Sequence, residues 1–263
     1  MRHVFRPTSV FACGTLNVRS LRNKVDAVYD LMRHEELDAL GITESWHEDS
    51  ACVCIARLRT LGYNVVEAAR PIPEGVRTDD VDYINHGGVV IMAKKSVQLN
   101  KVDSLGRYST FEYVCGRISS SGTHLTMLLI YRPGSVPPSA KFFDEFETLV
   151  SKLIISSDVL IITGDINVRL DRLADPHTVS FTQVLANYQL CQHVTSPTHS
   201  LGGILDVVIT REDCVMLRPK VMYVPFSDHA LVKWTHKFTK SEISMKTVQT
   251  RRWRSFDHDD FCI

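Results

Sequence analysis

A chain of 263 residues with 44% hydrophobic side chains suits one large domain or two small ones and can bury a sizeable core. Lys plus Arg and Asp plus Glu balance at 30 each, so any nucleic-acid contact has to use a local basic patch and not the field of the whole molecule. Apolar runs reach only about five residues against the roughly 18 that span a bilayer. No membrane span is therefore expected, and Arg6, Pro7 and Thr8 interrupt any secretory core within Met1–Ala12. The seven cysteines are odd in number and contain no C-x-x-C pair, which argues against a disulfide framework or a structural zinc site. Cys52 and Cys54 flank a single valine in a helical stretch, poor geometry for shared ligation. A reducing, intracellular setting is expected.

Residues 1–12 read as a leader, and Cys13 to Val18 alternates like a strand that ends at Asn17. Ser20 is placed to cap a helix carrying Leu21, Val25, Val28 and Met32 at 4-3-4 spacing. Asp38 to Thr43 is a short strand with Glu44 at its end and Trp46 just beyond. Ala51 to Leu61 predicts a second helix stopped by Gly62, and Tyr63 to Ala68 returns as a strand. Arg70 to His86, with two prolines and a cluster of acids, predicts a long loop. Gly87-Gly88 opens the strand Val89 to Ala93, and Phe111 to Ile118 is expected to pair with Thr123 to Tyr131 through a Ser-Ser-Ser-Gly turn. Pro137, Pro138 and Ser139 lead into a helix with Phe143, Phe146, Val150 and Ile154 on one face. Asp175-Pro176 starts another, carrying Phe181, Leu185 and Tyr188. Ile204 to Thr210 and Ala230 to Phe238 are the last strands. The alternation predicts a layered domain over 13–238 with two mixed sheets. Residues 239–263 read as a linker or the start of a further segment.

The stretch Asp158 to Asn167 is the centre of this pattern. Val159 to Ile162 is short and β-branched, Gly164 breaks the run, and Asp165 and Asn167 follow at its end, on one side of an extended chain. Gly-Asp-x-Asn also suits an ordinary Asx turn. Asn17, Glu44, Tyr131, Asp206 and the pair Asp228-His229 likewise fall where an apolar run stops or resumes. Strand ends converge in space, so these eight residues are expected to meet. Glu44 among oxygen-rich neighbours suits a hard cation, Mg²⁺ or Mn²⁺. A histidine beside a carboxylate suits phosphate or proton transfer, and an Asp beside an Asn can hold and deprotonate a water. Together these parts support metal-assisted attack of water on a phosphoester.

Seven blocks carry a resemblance: Leu16-Asn17-Val18-Arg19-Ser20, Ile42-Thr43-Glu44-Ser45-Trp46, Gly87-Gly88-Val89, Ile130-Tyr131-Arg132-Pro133, Gly164-Asp165-Ile166-Asn167, Leu205-Asp206-Val207-Val208 and Ser227-Asp228-His229. In this order they resemble the endonuclease/exonuclease/phosphatase superfamily of deoxyribonuclease I and the apurinic/apyrimidinic endonucleases. The resemblance implies a four-layer α/β/β/α sandwich, with Glu44 as principal metal ligand, Asn17 supporting the metal and phosphate, and Asp228 at the metal site's edge. It implies that Asp165 activates the water with Asn167 as partner, that Tyr131 is a phosphate-side phenol, and that His229 contacts the scissile phosphate while Asp206 orients its ring. Arg19, Arg132 and Thr198 are the expected nucleic-acid contacts. Arg19 stands where many apurinic endonucleases carry an acid, which favours a single metal.

Within the superfamily, Asn-Val-Arg-Ser-Leu, Thr-Glu-Ser-Trp and Pro-Thr-His followed by Leu-Asp-Val-Val-Ile-Thr look most like endonuclease domains of non-LTR (LINE-type) retrotransposons. Arg252-Trp253-Arg254 in the tail resembles the linker that precedes reverse transcriptase in such polyproteins. The implied activity is Mg²⁺-dependent nicking of one DNA strand in the nucleus, leaving a 3′-hydroxyl. RNA, inositol phosphate or lipid substrates, and an inactive nucleic-acid-binding relic, are the alternatives. The short glycine-bearing segment between Thr198 and Asp206 offers few side chains to base edges, so only modest sequence preference is expected.

Overall fold

The computed structural model describes residues 9–71, 86–120, 123–155, 159–214 and 218–238. In chain order the elements are β1 (Ser9–Asn17), α1 (Val25–His34), β2 (Ala39–Thr43), α2 (Val53–Thr60), β3 (Tyr63–Ala68), β4 (Val89–Lys94), β5 (Gln98–Lys101), β6 (Glu112–Ser120), β7 (Thr123–Tyr131), α3 (Ala140–Leu153), β8 (Val159–Asp165), α4 (Pro176–Asn187), β9 (Leu190–Gln192), β10 (Asp206–Arg211), β11 (Lys220–Tyr223) and β12 (Ala230–Phe238). They form two six-stranded sheets, ordered β11-β12-β1-β2-β4-β3 and β5-β6-β7-β8-β10-β9. Each is mixed: β1 and β2 run parallel in the first, β7 and β8 in the second, and the remaining pairs are antiparallel.

The period of two along a strand explains why the molecule has four layers. In β7, Leu128 and Ile130 point to a core shared with α3 and α4, whereas Leu125, Met127, Leu129 and Tyr131 point to a core between the sheets. In β4, Val89, Ile91 and Ala93 enter that same central core, while Val90 and Met92 face a third core under α1 and α2. Strands buried on both faces read as continuous apolar runs, as these do. Each fully buried Leu, Ile or Phe contributes about 1.5–3 kcal/mol, so the three cores hold the sandwich together. It is the α/β/β/α arrangement expected.

Several local expectations change. β1 begins at Ser9, inside the stretch read as a leader, because Phe11 is buried in the central core. Ser20 does not cap α1: it has a left-handed backbone (φ 85), its hydroxyl accepts from Arg22 N, and the helix starts at Val25 after Lys24. Leu21 is fully buried but precedes the helix. α2 is three residues shorter than expected, Val53–Thr60. The buried face of α3 is Phe142, Phe146, Leu149, Val150 and Leu153, with Phe143 and Ile154 flanking it half-buried. Asp175 caps α4 as its sequence suggests, accepting from His177 N at 2.8 Å. Gly164 does not end β8, which runs on to Asp165. The expected linker 239–263, most of the loop 70–86 and the tip of the β6–β7 turn lie outside the described residues.

Candidate active site

Register alone brings the polar residues to one rim. Asn17 ends β1 and pairs with Thr43 at the end of β2, so Glu44 follows directly beside it. In the other sheet, Tyr131 of β7 pairs with Asp165 of β8, which pairs in turn with Asp206 of β10. Asp228 and His229 lie just before β12, the strand next to β1. Gly164 permits the row in the second sheet: a Cβ there would lie 2.0 Å from the Ile130 carbonyl oxygen, and its φ is 124. No other residue fits that approach.

Backbone strain collects at the same rim. Five of the eight described non-glycine residues with positive φ are Arg19, Ser20, Glu44, Trp46 and Asn167. The loop that carries Glu44 is held by buried groups. Ser45 Oγ lies 2.7 Å from His47 Nδ1, and His47 Nε2 lies 2.8 Å from Glu67 Oε2. Ser45 N and Trp46 N donate to the carbonyls of Gly88 and Gly87. A Cβ on Gly88 would meet Ser45 Oγ at 2.6 Å, so this glycine makes room for the loop.

Asn17 is buried and joins the two halves. Its Nδ2 donates to Glu44 Oε1 at 2.8 Å and to Asp165 Oδ2 at 2.9 Å, while its Oδ1 accepts from Arg19 N. It therefore presents its amide nitrogen to both carboxylates and braces Glu44 against Asp165. Asn167 closes an Asx turn on Asp165: its N donates to Asp165 Oδ1 at 3.0 Å and its Nδ2 to Oδ2 at 3.2 Å. The ordinary turn and the polar site are one structure.

His229 Nδ1 lies 2.9 Å from Asp206 Oδ2, and its Nε2 lies 3.8 Å from Asp165 Oδ2. Burial pulls the imidazole down, but the charge and hydrogen bond of Asp206, with Asp165 and Asp228, raise it to about 9. Burial first, then Asp206, pushes the Asp165 carboxyl up to about 7, against the pull of His229 and Asn17. Burial, Glu44 and Asp165 hold the Tyr131 phenol well above its ordinary range. Burial also opposes the charge on Asp228, yet Arg19 at 2.7 Å keeps this carboxyl below its usual value.

Glu44, Tyr131, Asp165, Asn167, Asp228 and His229 line a cleft of about 560 Å³ that Arg70, His86 and His199 also border, with Asn17 and Asp206 buried behind it. His199 was not expected. It pairs across a bridge with His229, its ring stands edge-on to that ring at 4.8 Å, and its Nε2 lies 3.6 Å from Asp228 Oδ2. Its signal in the sequence is the Pro197-Thr198-His199 block, where it directly follows Thr198. Trp46, two residues after Glu44, also belongs to the site. Its Nε1 donates to Glu44 Oε2 at 3.3 Å, and its ring stacks edge-on against His86.

Two expected nucleic-acid contacts are corrected. Thr198 is fully buried, and its Oγ1 accepts from Leu205 N and Asp206 N. Arg132 is buried too, and its guanidinium donates to the carbonyls of Ile166, Val136 and Asn167. Both shape the loops under the site and offer nothing to a ligand. Arg19, with half its side chain exposed, does open onto the cleft.

The donor set fits a hard cation. Asp206 Oδ1 and Asp228 Oδ1 are buried oxygens with no hydrogen-bond partner. Ligand atoms of His199, Asp228 and His229, and of Asp165, Asp206 and His229, each lie within 4.8 Å of one another. Glu44 lines the same cleft outside both groups and adds an oxygen ligand suited to Mg²⁺ or Mn²⁺. Asp228 is shared with the Arg19 guanidinium, so a single cation would rest mainly on Glu44 with Asp228 at its edge.

The model of the endonuclease/exonuclease/phosphatase family matches residues 14–229, which include all eight site residues. No curated protein matches the chain. Among solved structures, the endonuclease domain of TRAS1, a telomere-specific non-LTR retrotransposon, superposes with a TM-score of 0.66 at 12% identity, over 89% of this chain and 100% of that one. The AP endonuclease of Leishmania major gives 0.66 at 13% identity over 88% of each chain. The human Nocturnin catalytic domain gives 0.62 at 13% identity, over 89% of this chain and 100% of that one. At such identities these likenesses establish the fold, and the family match goes further: the chain belongs to the endonuclease/exonuclease/phosphatase family of phosphoester-hydrolysing nucleases and phosphatases.

Proposed function

We propose that the protein is a Mg²⁺-dependent DNA endonuclease that nicks one strand and leaves 3′-hydroxyl and 5′-phosphate ends, in the manner of retrotransposon target-site nicking. The observation that carries this reading is the pair Asp165 and His229, held in one cleft, where Asp165 exchanges its proton near neutral pH while His229 keeps its own. Asp165, raised to about 7, takes a proton from an attacking water while Asn167 and Asn17 fix its two oxygens. His229, raised to about 9 and oriented by Asp206, stays protonated and donates to a phosphate oxygen. The Tyr131 phenol keeps its proton and adds a donor beside Glu44. Arg19 meets the phosphate from the open side. Glu44 would be the main ligand of the cation with Asp228 at its edge, and the cation when bound would polarise the phosphoryl group and offset charge on the leaving oxygen. Leu201, highly exposed, is the one large apolar side chain on the 199–203 turn beside the cleft, which supports contact with groove shape over base reading.

The test is conversion of supercoiled plasmid to open circle in Mg²⁺ and in EDTA, beside Asp165→Ala and His229→Ala. Metal-dependent nicking lost in both folded variants is expected. Nicking that persists in both would refute the site. A folded wild-type protein that leaves plasmid intact but cleaves RNA or a phosphomonoester would keep the chemistry and replace the substrate.

A further inference from the structure

Ser45, His47 and Glu67 form a series that the proposed chemistry does not use. Ser45 Oγ lies 2.7 Å from His47 Nδ1, and His47 Nε2 lies 2.8 Å from Glu67 Oε2. Serine, histidine and acid in that order are the parts of a nucleophilic triad. Here that reading fails on access, because Ser45 and His47 have no exposed surface and no reacting centre can reach the hydroxyl. The series acts through what it holds.

Ser45 sits between two residues in left-handed backbone, Glu44 with φ 51 and Trp46 with φ 55. Neither is a residue type that favours this region, so the surrounding contacts have to impose it. The main chain is gripped from both sides. Ser20 N and Leu21 N donate to the carbonyls of Glu44 and Ser45, while Ser45 N and Trp46 N donate to those of Gly88 and Gly87. The Ser45 hydroxyl is the side-chain anchor at the middle of this turn. From it the series leads to Glu67 on β3, the edge strand of the first sheet. It passes beside Gly88, where a Cβ would stand 2.6 Å from Ser45 Oγ and 2.8 Å from His47 Nδ1. Glycine alone leaves that passage open. The hydrogen bond from His47 holds the Glu67 carboxyl below its ordinary value. An ionised carboxylate only accepts, so Nε2 donates to it and Nδ1 is turned to the Ser45 hydroxyl. The acid thereby fixes the ring, and the ring fixes Ser45.

We propose that Ser45, His47 and Glu67 are positioning residues that hold the Glu44 carboxylate where a cation can use it, so that cation affinity at the cleft is set from the sheet edge. This rests on the reading of Glu44 as the main ligand of a hard cation. The Glu44 oxygens are aimed by Asn17 Nδ2 at Oε1 and by Trp46 Nε1 at Oε2. One of those donors and the carboxylate itself belong to the strained turn. Without the anchor at Ser45 the turn can relax toward an ordinary backbone, and both move with it. Removing groups one step behind a metal's ligands lowers metal affinity about 10–100-fold.

The test uses the full chain with Mn²⁺ as probe, because the electron-spin signal of free Mn²⁺ reports binding without DNA or turnover. The wild type should bind the ion, and Glu44→Gln should lose it. Ser45→Ala and Glu67→Ala should each weaken Mn²⁺ binding about tenfold, and the Mg²⁺ concentration that half-saturates nicking should rise in step. The double variant should be no weaker than either single one, because a series broken once is broken whole. Glu67→Gln, whose amide oxygen still accepts from Nε2, should keep wild-type affinity. A merely loosened fold would give additive losses and no rescue by Glu67→Gln, and either result would overturn the proposal. Unchanged affinity in Ser45→Ala and Glu67→Ala would overturn it too, but would leave the nuclease reading standing where Glu44→Gln still loses the ion. Binding absent in the wild type, or undiminished in Glu44→Gln, would refute Glu44 as the ligand and the proposal with it. Circular dichroism checks folding. If the buried Ser45→Ala variant does not fold, Glu67→Ala at the partly exposed end carries the decision, beside Glu67→Gln.

Discussion

Asp165 is a carboxylate without exposed surface, placed beside a second carboxylate across the β8–β10 pair. Its pKa is raised to about 7, chiefly by burial and by Asp206. A carboxyl raised on folding contributes stability that is complete below its unfolded value of 3.8 and is lost as pH rises through about 7. The same group that can act as a base at neutral pH therefore weakens the folded metal-free protein there. Asp165→Asn does not titrate, so in EDTA the difference in Tm should move in the variant's favour by several degrees from about pH 5 to about pH 8. A difference independent of pH would mean that the carboxylate is not destabilised by its surroundings. Asp206 is probed differently, because it acts through His229. Asp206→Asn keeps the volume and one hydrogen bond but removes the charge that keeps the imidazole protonated. The expected result is a fall in kcat of about 10²-fold with KM little changed. A loss confined to KM would assign Asp206 to binding.

At the scale of elements, long apolar runs were legible because both faces of a strand or one face of a helix must be buried. Hence β1, β2, β4, β7, β8, β10 and β12 are legible, and with them the meeting of the eight polar residues at one rim, since each stands at the end of such a run. The short edge strands β5, β9 and β11 were not, because three or four residues with half-exposed side chains carry no periodic signal. Ser20 misled because a serine before an apolar period suits a cap, yet here it follows the strained Arg19 in the loop leading to α1. Thr198 and Arg132 misled for a related reason: a polar residue next to a site block can face the ligand or brace the loop, and only the fold decides. Thr198 braces, and this has a measurable consequence. Thr198→Val keeps the shape but orphans the buried N–H groups of Leu205 and Asp206, at about 1–3 kcal/mol for each donor left unpaired. Urea unfolding should show that loss, while DNA affinity of the folded variant should match the wild type. Weakened DNA binding at unchanged stability would return Thr198 to the interface.

For the whole molecule, charge balance sets how a polyanion can be held. With 30 cationic and 30 anionic side chains there is no long-range field to draw DNA in. Near the cleft, many basic groups are already engaged. Arg22 pairs with Glu48, Arg169 with Asp171, and Lys24 donates to the carbonyls of Val18 and Arg19. Arg19 itself is shared with Asp228. Each phosphate neutralised by a protein cation releases counterions and adds about 0.9 to the salt slope on duplex DNA. With so few unshared cations among the described residues of the rim, we expect a shallow dependence, with the logarithm of affinity falling by less than about 4 per tenfold rise in salt. Fluorescence anisotropy with Asp165→Asn and duplex DNA across a salt series measures it directly. The same titration with Arg19→Ala should lower the slope by about 1, the contribution of one phosphate contact. A steep slope unchanged by Arg19→Ala would place the main grip on basic residues away from the cleft, and the shape of the rim would no longer be what positions the strand for attack.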